Sequence, residues 1–535
     1  MRRAARAALL VAAAAALSGR LLGQPAGELG RADFETSGSP QAQKHFLRGL
    51  LLLHSFEFGD AAEEFREAQK IEPGFAMAYW GEALTYNHPL WAEKDQAAAR
   101  KVLERLAPSA AERLAKAPTK REKKYLESAE ILYGAGDKAA QDRAYAEALK
   151  RLHEEFPDDQ DAAAFYALSI LGACEGKRDF PAYMKAAAIA EEVFAKNPLH
   201  PGAVHYLIHS YDDPVHAPLG MRAARVYAKI APAAGHALHM PSHIFFASGM
   251  WEEAAASNEA AWKASLDRAE RKKLGADDHN YHALFWLEYS YLELGRYADA
   301  RRVLALMESD AGKSGSGRAK SHRAMMRAAW VIETCRFDGD VVHSLAEDGE
   351  RGVALFAEGL AAAAKGDRAR AERALSAMGK EPEGGHNHGG GGMYGMGAGA
   401  DAVMKKELEA LVASLRGDSE RALALAKEAV SAEDGMTFEF GPPSVAKPAH
   451  ELLAELLLKA GNAAEARAEF DRSLAHAPER ALSLLGLARA AAKAGDRPAA
   501  EEAYRRLASV WRRADADLPE LAEARRPPPP VAAAR

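Results

Sequence analysis

Two cysteines, Cys174 and Cys335, are all that this chain of 535 residues contains. That excludes a disulfide-stapled scaffold and any C-x-x-C redox or zinc motif. An exported chain allows the two thiols to pair, but so far apart in a helical protein they read better as separate small core residues. Basic charge is not in excess either. Lys and Arg number 70 against 76 Asp and Glu, a formal net charge of -6, so a nucleic-acid backbone would lack its usual electrostatic attraction. Nucleic acid is not expected as a partner. Beyond the N-terminus no stretch approaches about 18 uninterrupted apolar residues, which predicts no membrane span in the mature chain. G-x-S-x-G, P-loop and dinucleotide fingerprints are absent, and with them the nucleophile elbow and the phosphate cradle. Missing too is the period-two alternation of a half-buried strand.

What the chain has is helical periodicity almost throughout. Segments such as DRAYAEALKRLHEEFP and ALFWLEYSYLELGRYADARRVLALM place apolar residues at helical spacing, and the fold class read from them is all-α. In GLLLLHSFEFGDAAEEFREAQKIEPG, the residues Gly49, Ala61, Phe65, Ala68 and Pro73 occupy the small, small, aromatic, small and proline sites of a helix-turn-helix unit. Small residues let two helices approach, the aromatic fills the gap between units, and proline stops the second helix. Ala466, Phe470 and Pro478 repeat the pattern, Ala500 and Tyr504 echo it thirty-four residues on, and Pro198 and Pro232 share that spacing. This resembles the tetratricopeptide repeat, and implies a superhelical solenoid of roughly ten helix pairs. NPLHPGAVHYLIHSYDDPVHA, APAAGHALHMPSHIFFASGMWEEAAASNEAAW and FEFGPPSVAKPAHELLAELLLKAG resemble stretches of exported bacterial tetratricopeptide repeat proteins. That resemblance implies no activity. It agrees with the N-terminus, where Arg2, Arg3 and Arg6 precede an apolar run from Ala7 to Leu17, the pattern of a secretory signal peptide. Residues 1–24 are expected to be removed, leaving a periplasmic or secreted protein. No cysteine follows the run to accept a lipid anchor.

The expected organisation is a solenoid over 41–375, a flexible loop over 381–401, a second solenoid over 402–515, and a disordered proline-rich tail over 516–535. Glycine keeps the loop EPEGGHNHGGGGMYGMGAGAD from holding a helix. His386, His388, Met393 and Met396 within it are copper-ligand types, although the bland reading is a loop tip. Glu439, Gly441, Pro442, Pro443 and Lys447 read as a rigid turn before the C-terminal helices.

Histidine carries the functional signal. His205 and His209 stand four apart, and His239 and His243 repeat the gap thirty-four residues later, at equivalent sites of neighbouring units. A spacing of four puts each pair on one helical face, about 5–6 Å apart at Cβ, and packed helices lie about 8–10 Å apart. Four imidazoles are therefore expected to converge, with Asp212 and His236 extending the two faces. Three explanations stay open. The cluster is a site for a divalent transition metal, zinc, copper or iron, formed by His205, His209, Asp212, His236, His239 and His243. Or those residues, with Tyr206 and Phe246, line a concave groove for a peptide, protein or small-molecule ligand, the leading reading. Or the rings are structural. Pro241 starts or bends a helix, which would leave His239 in the preceding turn. HYLIH has the outer spacing of H-E-x-x-H but carries Tyr206 where the catalytic glutamate belongs, so zincin-type hydrolysis is unsupported. Ser242 and His243 are adjacent on a helix and point about 100° apart, which argues against a catalytic pair. His54 and His88 keep the thirty-four-residue register. His279 and His282 open a later helix, where Asp277 and Glu288 are candidates for a second polar patch.

Overall fold

A computed structural model of the chain describes residues 28–175, 177–348, 351–378, 398–437 and 441–525. The expected signal sequence, most of the glycine-rich segment with its His and Met residues, Glu439 and the last ten residues lie outside them.

The chain is an α-solenoid. Helices follow one another as antiparallel hairpins, Pro40–His54 on Phe58–Ile71, Ala449–Lys459 on Ala463–His476, Ala481–Lys493 on Arg497–Val510. First helices of successive units also touch, as Tyr281–Glu293 meets Gly317–Thr334, which meets Gly352–Ala364, which meets Ala398–Leu415. Among the described residues the strand content is one two-residue ladder, Asn87 opposite Lys94 and His88 opposite Glu93. The repeat residues work as their types require. Phe65 is fully buried, and a Cβ on Gly81 would fall 2.4 Å from its ring, so glycine at the start of the next unit is what admits the aromatic. Phe470 fills the equivalent gap in the C-terminal half.

Each half of the chain curls back on itself. In the first, Pro40–His54 packs on Pro201–Ser210, and the preceding segment is tied alongside by Arg31 N donating to Leu199 O at 2.8 Å. In the second, fully buried Arg480 reaches Glu293 at 3.0 Å, Glu333 at 2.9 Å and Glu451 at 2.8 Å. Trp511 Nε1 donates to Glu293 O at 3.1 Å.

Two boundaries differ from the sequence reading. Pro519–Arg525, inside the expected tail, is a helix that buries Leu521 and Ala524 against Arg497–Val510, because Leu518, Leu521 and Ala524 recur at helical spacing around Pro519, a proline suited to a first turn. The helix Ala398–Leu415 begins within the expected loop. Cys174 and Cys335 are both free thiols. No helix of the described residues is long and apolar enough to cross a membrane.

Candidate metal centre

The helix Pro201–Ser210 carries His205 and His209 one turn apart. Proline at its first position suits an N-terminus whose amide is unused. The His200 ring accepts the Ala203 N–H at 3.1 Å, and Arg178 donates to the His209 and Ser210 carbonyls at the other end. The next stretch is broken. Gly235–His239 is a five-residue helix, and a second begins at Pro241, so Pro241 does start a helix and His239 does belong to the preceding element.

This break sorts the histidines into two sets of three rather than one cluster. His205, His209 and His236 form the first, and His239, His243 and His282 the second; within each, one ring nitrogen per residue lies within 4.8 Å of the others. His205 Nε2 stands 3.0 Å from His209 Nε2 and 3.1 Å from His236 Nε2. His239 Nε2 stands 3.0 Å from His243 Nε2. The sets adjoin, with ring centroids 5.8 Å apart for His209 and His243 and 6.2 Å for His236 and His239.

What lies behind the rings fixes their protons. His205 Nδ1 is 2.7 Å from the His54 carbonyl, which only accepts, so Nδ1 carries the hydrogen and Nε2 presents a lone pair. His243 Nδ1 is 2.5 Å from Asp212 Oδ2. His239 Nδ1 is 2.6 Å from Asn258 Oδ1, whose orientation is set by its Nδ2 donating to Ala254 O at 2.8 Å. In the second set, two Nε2 lone pairs therefore face each other at hydrogen-bond distance with no hydrogen of their own between them. In the first, one lone pair confronts two nitrogens.

Most of these rings are sealed from solvent. His205 and His243 are 0% exposed, His239 1% and His209 3%; His236 alone is half-buried. Desolvation, reinforced by the neighbouring imidazoles, holds His205, His209, His236 and His282 well below the ordinary histidine value. It brings His239 to about 3, against the opposing hydrogen bond to Asn258 Oδ1. Aromatic rings complete the enclosure. Phe56 lies 4.3 Å from His205 and 5.5 Å from His236, and Trp286 4.5 Å from His243 and 5.1 Å from His282, centroid to centroid.

A short turn after the first helix seats the first set. His54 offers its carbonyl to His205, Phe56 its ring to all three histidines, and Glu57 Oε1 accepts the His236 N–H at 2.8 Å. Phe56 holds φ +55° to do so, a left-handed conformation uncommon for a bulky residue and typical of constrained sites. Gly202 is what lets this turn come close, since a Cβ there would sit 2.3 Å from His54 Nδ1.

Other sequence candidates are placed differently. Asp212 stands behind His243 as its hydrogen-bond partner rather than beside it as a further ligand, because its carboxylate meets Nδ1 while Nε2 faces His239. Its Oδ1 is buried with no hydrogen-bond partner. Tyr206 is spent on His54, its hydroxyl 2.9 Å from Nδ1. Phe246 packs behind Trp286 at 4.5 Å. His279 pairs with Asp310 at 2.7 Å and not with His282; Asp277 bonds Ser314, and both Glu288 oxygens are buried without a partner. His88 bonds the Thr85 carbonyl. Sequence reasoning missed His282 as a member of the second set, along with Asn258 and the turn at residues 54–57. His282 was visible only as a histidine on a helical face, and no local pattern announced the rest.

No protein-family model and no curated protein matches the chain. Among solved structures it is similar to the human IFIT1 dimer with m7Gppp-AAAA, at 13% identity over 90% of this chain and 92% of that one, TM-score 0.36. The P58(IPK) TPR domain matches at 14% over 85% and 98%, TM-score 0.21, and yeast Tom70 at 13% over 90% and 94%, TM-score 0.29. Likenesses at these scores carry nothing about function, and the TPR-like fold rests on the chain's own helix pairing.

Proposed function

We propose that this chain is an exported α-solenoid that holds two transition-metal ions side by side, one on His205, His209 and His236 and the other on His239, His243 and His282. The observation that supports it most is the approach of His239 and His243, whose Nδ1 atoms are engaged and whose Nε2 atoms lie 3.0 Å apart. Two lone pairs at that distance repel unless a cation or a shared proton lies between them, and the depth of burial disfavours the proton. A metal-bound histidine characteristically donates its other nitrogen's hydrogen to a carboxylate or carbonyl, as His243 does to Asp212 and His205 to His54. Neutral imidazoles suit zinc, copper or iron and not magnesium or calcium, which prefer oxygen. Three protein ligands leave each ion an open position, the arrangement of catalytic rather than closed structural sites. Bound there, such ions would supply Lewis acidity or a redox couple to a small molecule.

The rings do not suit a peptide groove, since all but His236 are buried. Reconstitution of the metal-free full-length chain with zinc or copper, followed by elemental analysis, tests the reading. It expects two equivalents per chain, and X-ray absorption with nitrogen ligands at about 2.0–2.1 Å if the metal is zinc. Less than one equivalent retained through dialysis would sink it. The Arg-led apolar N-terminus supports export, tested by N-terminal sequencing of protein recovered outside the cytoplasm.

A further inference from the structure

Away from the two sets described above, the C-terminal hairpins assemble a third group of donors. Asp434 is the last residue of the helix Ser419–Asp434, His450 the second of Ala449–Lys459 and His476 the last of Ala463–His476. One side-chain donor from each lies within 4.8 Å of the others. His450 Nδ1 is 2.6 Å from Glu469 Oε2, and its Nε2 is turned to Asp434 Oδ1 at 3.2 Å, with the His476 ring 5.8 Å away, centroid to centroid. His450 is buried, whereas Asp434 and His476 are open to solvent. A neutral His450 donates its Nδ1 hydrogen to Glu469 and leaves the Nε2 lone pair facing the Asp434 oxygen. That contact is relieved by a proton on the ring or by a cation held between the two. The carboxylates suit either, but an imidazolium at the second residue of a helix meets the positive end of its dipole. A cation meets the opposite field, because Asp434 and His476 both stand at helix C-termini, where the carbonyl ends are negative. Only a cation also gives His476 a part, since its ring has none in an ion pair of His450 with Asp434. Glu469 behind Nδ1 completes the arrangement in which a carboxylate orients a metal-bound imidazole.

We infer that Asp434, His450 and His476 form a solvent-facing site for one divalent transition-metal ion such as zinc, held loosely enough to exchange with solution and to be lost on dialysis. Two imidazoles and a carboxylate are a donor set that zinc accepts, whereas magnesium and calcium take oxygen. With Asp434 and His476 facing solvent, water fills the remaining positions. The ion would clamp two successive hairpins together. It is additional to the two ions proposed above and independent of them.

Isothermal titration with zinc of the full-length chain, metal-loaded and then dialysed, tests the site, with the ions retained through dialysis counted beforehand by elemental analysis. One further zinc ion per chain is expected to bind. His476→Ala and Asp434→Asn, both at exposed positions, should abolish that step without disturbing the fold. Glu469→Gln, which removes the charge behind His450, should weaken it by about 10- to 100-fold. His45→Ala, at another histidine–carboxylate pair, should leave it unchanged. No further uptake of zinc, magnesium bound as tightly as zinc, a step untouched by His476→Ala or Asp434→Asn, or one lost equally with His45→Ala would each overturn the site. The step is read on top of whatever the internal histidines retain, so its outcome is separate from theirs.

Discussion

Two kinds of histidine cluster sit within one solenoid and differ in how their hydrogens are distributed. At His54, Asp161 and His200 a carboxylate stands between the rings. The Tyr206 hydroxyl meets His54 Nδ1 at 2.9 Å, His54 Nε2 meets Asp161 at 2.9 Å, and His200, whose Nδ1 accepts a backbone N–H, turns Nε2 to the same carboxylate at 3.4 Å. Both nitrogens of His54 are thus engaged, while His200 Nε2 comes within ion-pair distance of the Asp161 carboxylate without a hydrogen bond of its own. In the other two sets the outer nitrogens of His205, His239 and His243 are anchored to acceptors, and their inner nitrogens converge on neighbouring imidazoles. Buried histidines thus turn to a carboxylate in one place and to one another in the other, and the proposed metal reading rests on that difference. What separates them is which atom stands behind the ring.

Substitution can break or sharpen that contrast. The largest effect expected is on metal stoichiometry. His205→Ala and His239→Ala should each lower a two-ion complement by one, whereas His200→Ala should leave it at two. A parallel fall for His200→Ala would erase the distinction. Next comes stability. Asp161→Ala leaves two buried imidazoles without their shared acceptor and should cost about 3 kcal/mol in denaturant unfolding, against a smaller loss for Asp212→Ala in metal-loaded protein, where the ion still holds His243. Third, Asp212→Asn, which keeps the shape but removes the charge behind His243, should weaken metal retention at that set by about 10- to 100-fold in competition with a chelator.

The smallest effect is on pH dependence. Burial alone would raise Asp161, but hydrogen bonds from His200 and His54 outweigh it and hold the carboxyl below its ordinary value. The stability it contributes is present above about pH 4, the unfolded value, and is lost as pH falls below that. Glu433 has the opposite sign, burial pushing it up to about 7 against hydrogen bonding from the Ala449 amide. Its contribution is complete below about pH 4.5 and fades as pH rises towards 7. Asp161→Asn should flatten the acid limb of a stability profile and Glu433→Gln the limb between those values, as unfolding midpoints from pH 3 to 8 would reveal.

The repeat was legible in the sequence because its determinants are local. Phe65 with its small neighbours and the prolines at fixed spacing state the hairpin unit outright. The register of His205 and His209 with His239 and His243 was equally plain, and it did identify rings that converge. Their division was not. It depends on Met240 and Pro241 ending one helix and starting another within a single turn, and on His282 arriving from a helix that sequence spacing had grouped with His279. The seat at residues 54–57 was beyond reach, since it becomes a neighbour of His205 only once the first half of the chain has curled through its full arc.

That seat has a consequence for how the molecule is assembled. His239, His243 and His282, with Asp212 and Asn258 behind two of them, come from one contiguous stretch of chain, so the second set can form as soon as that stretch folds. The first set waits on a carbonyl 151 residues upstream of the imidazole it orients. On the proposed metal reading, an ion held by the first set would report whether the first half of the chain has curled closed, and would in turn latch it shut.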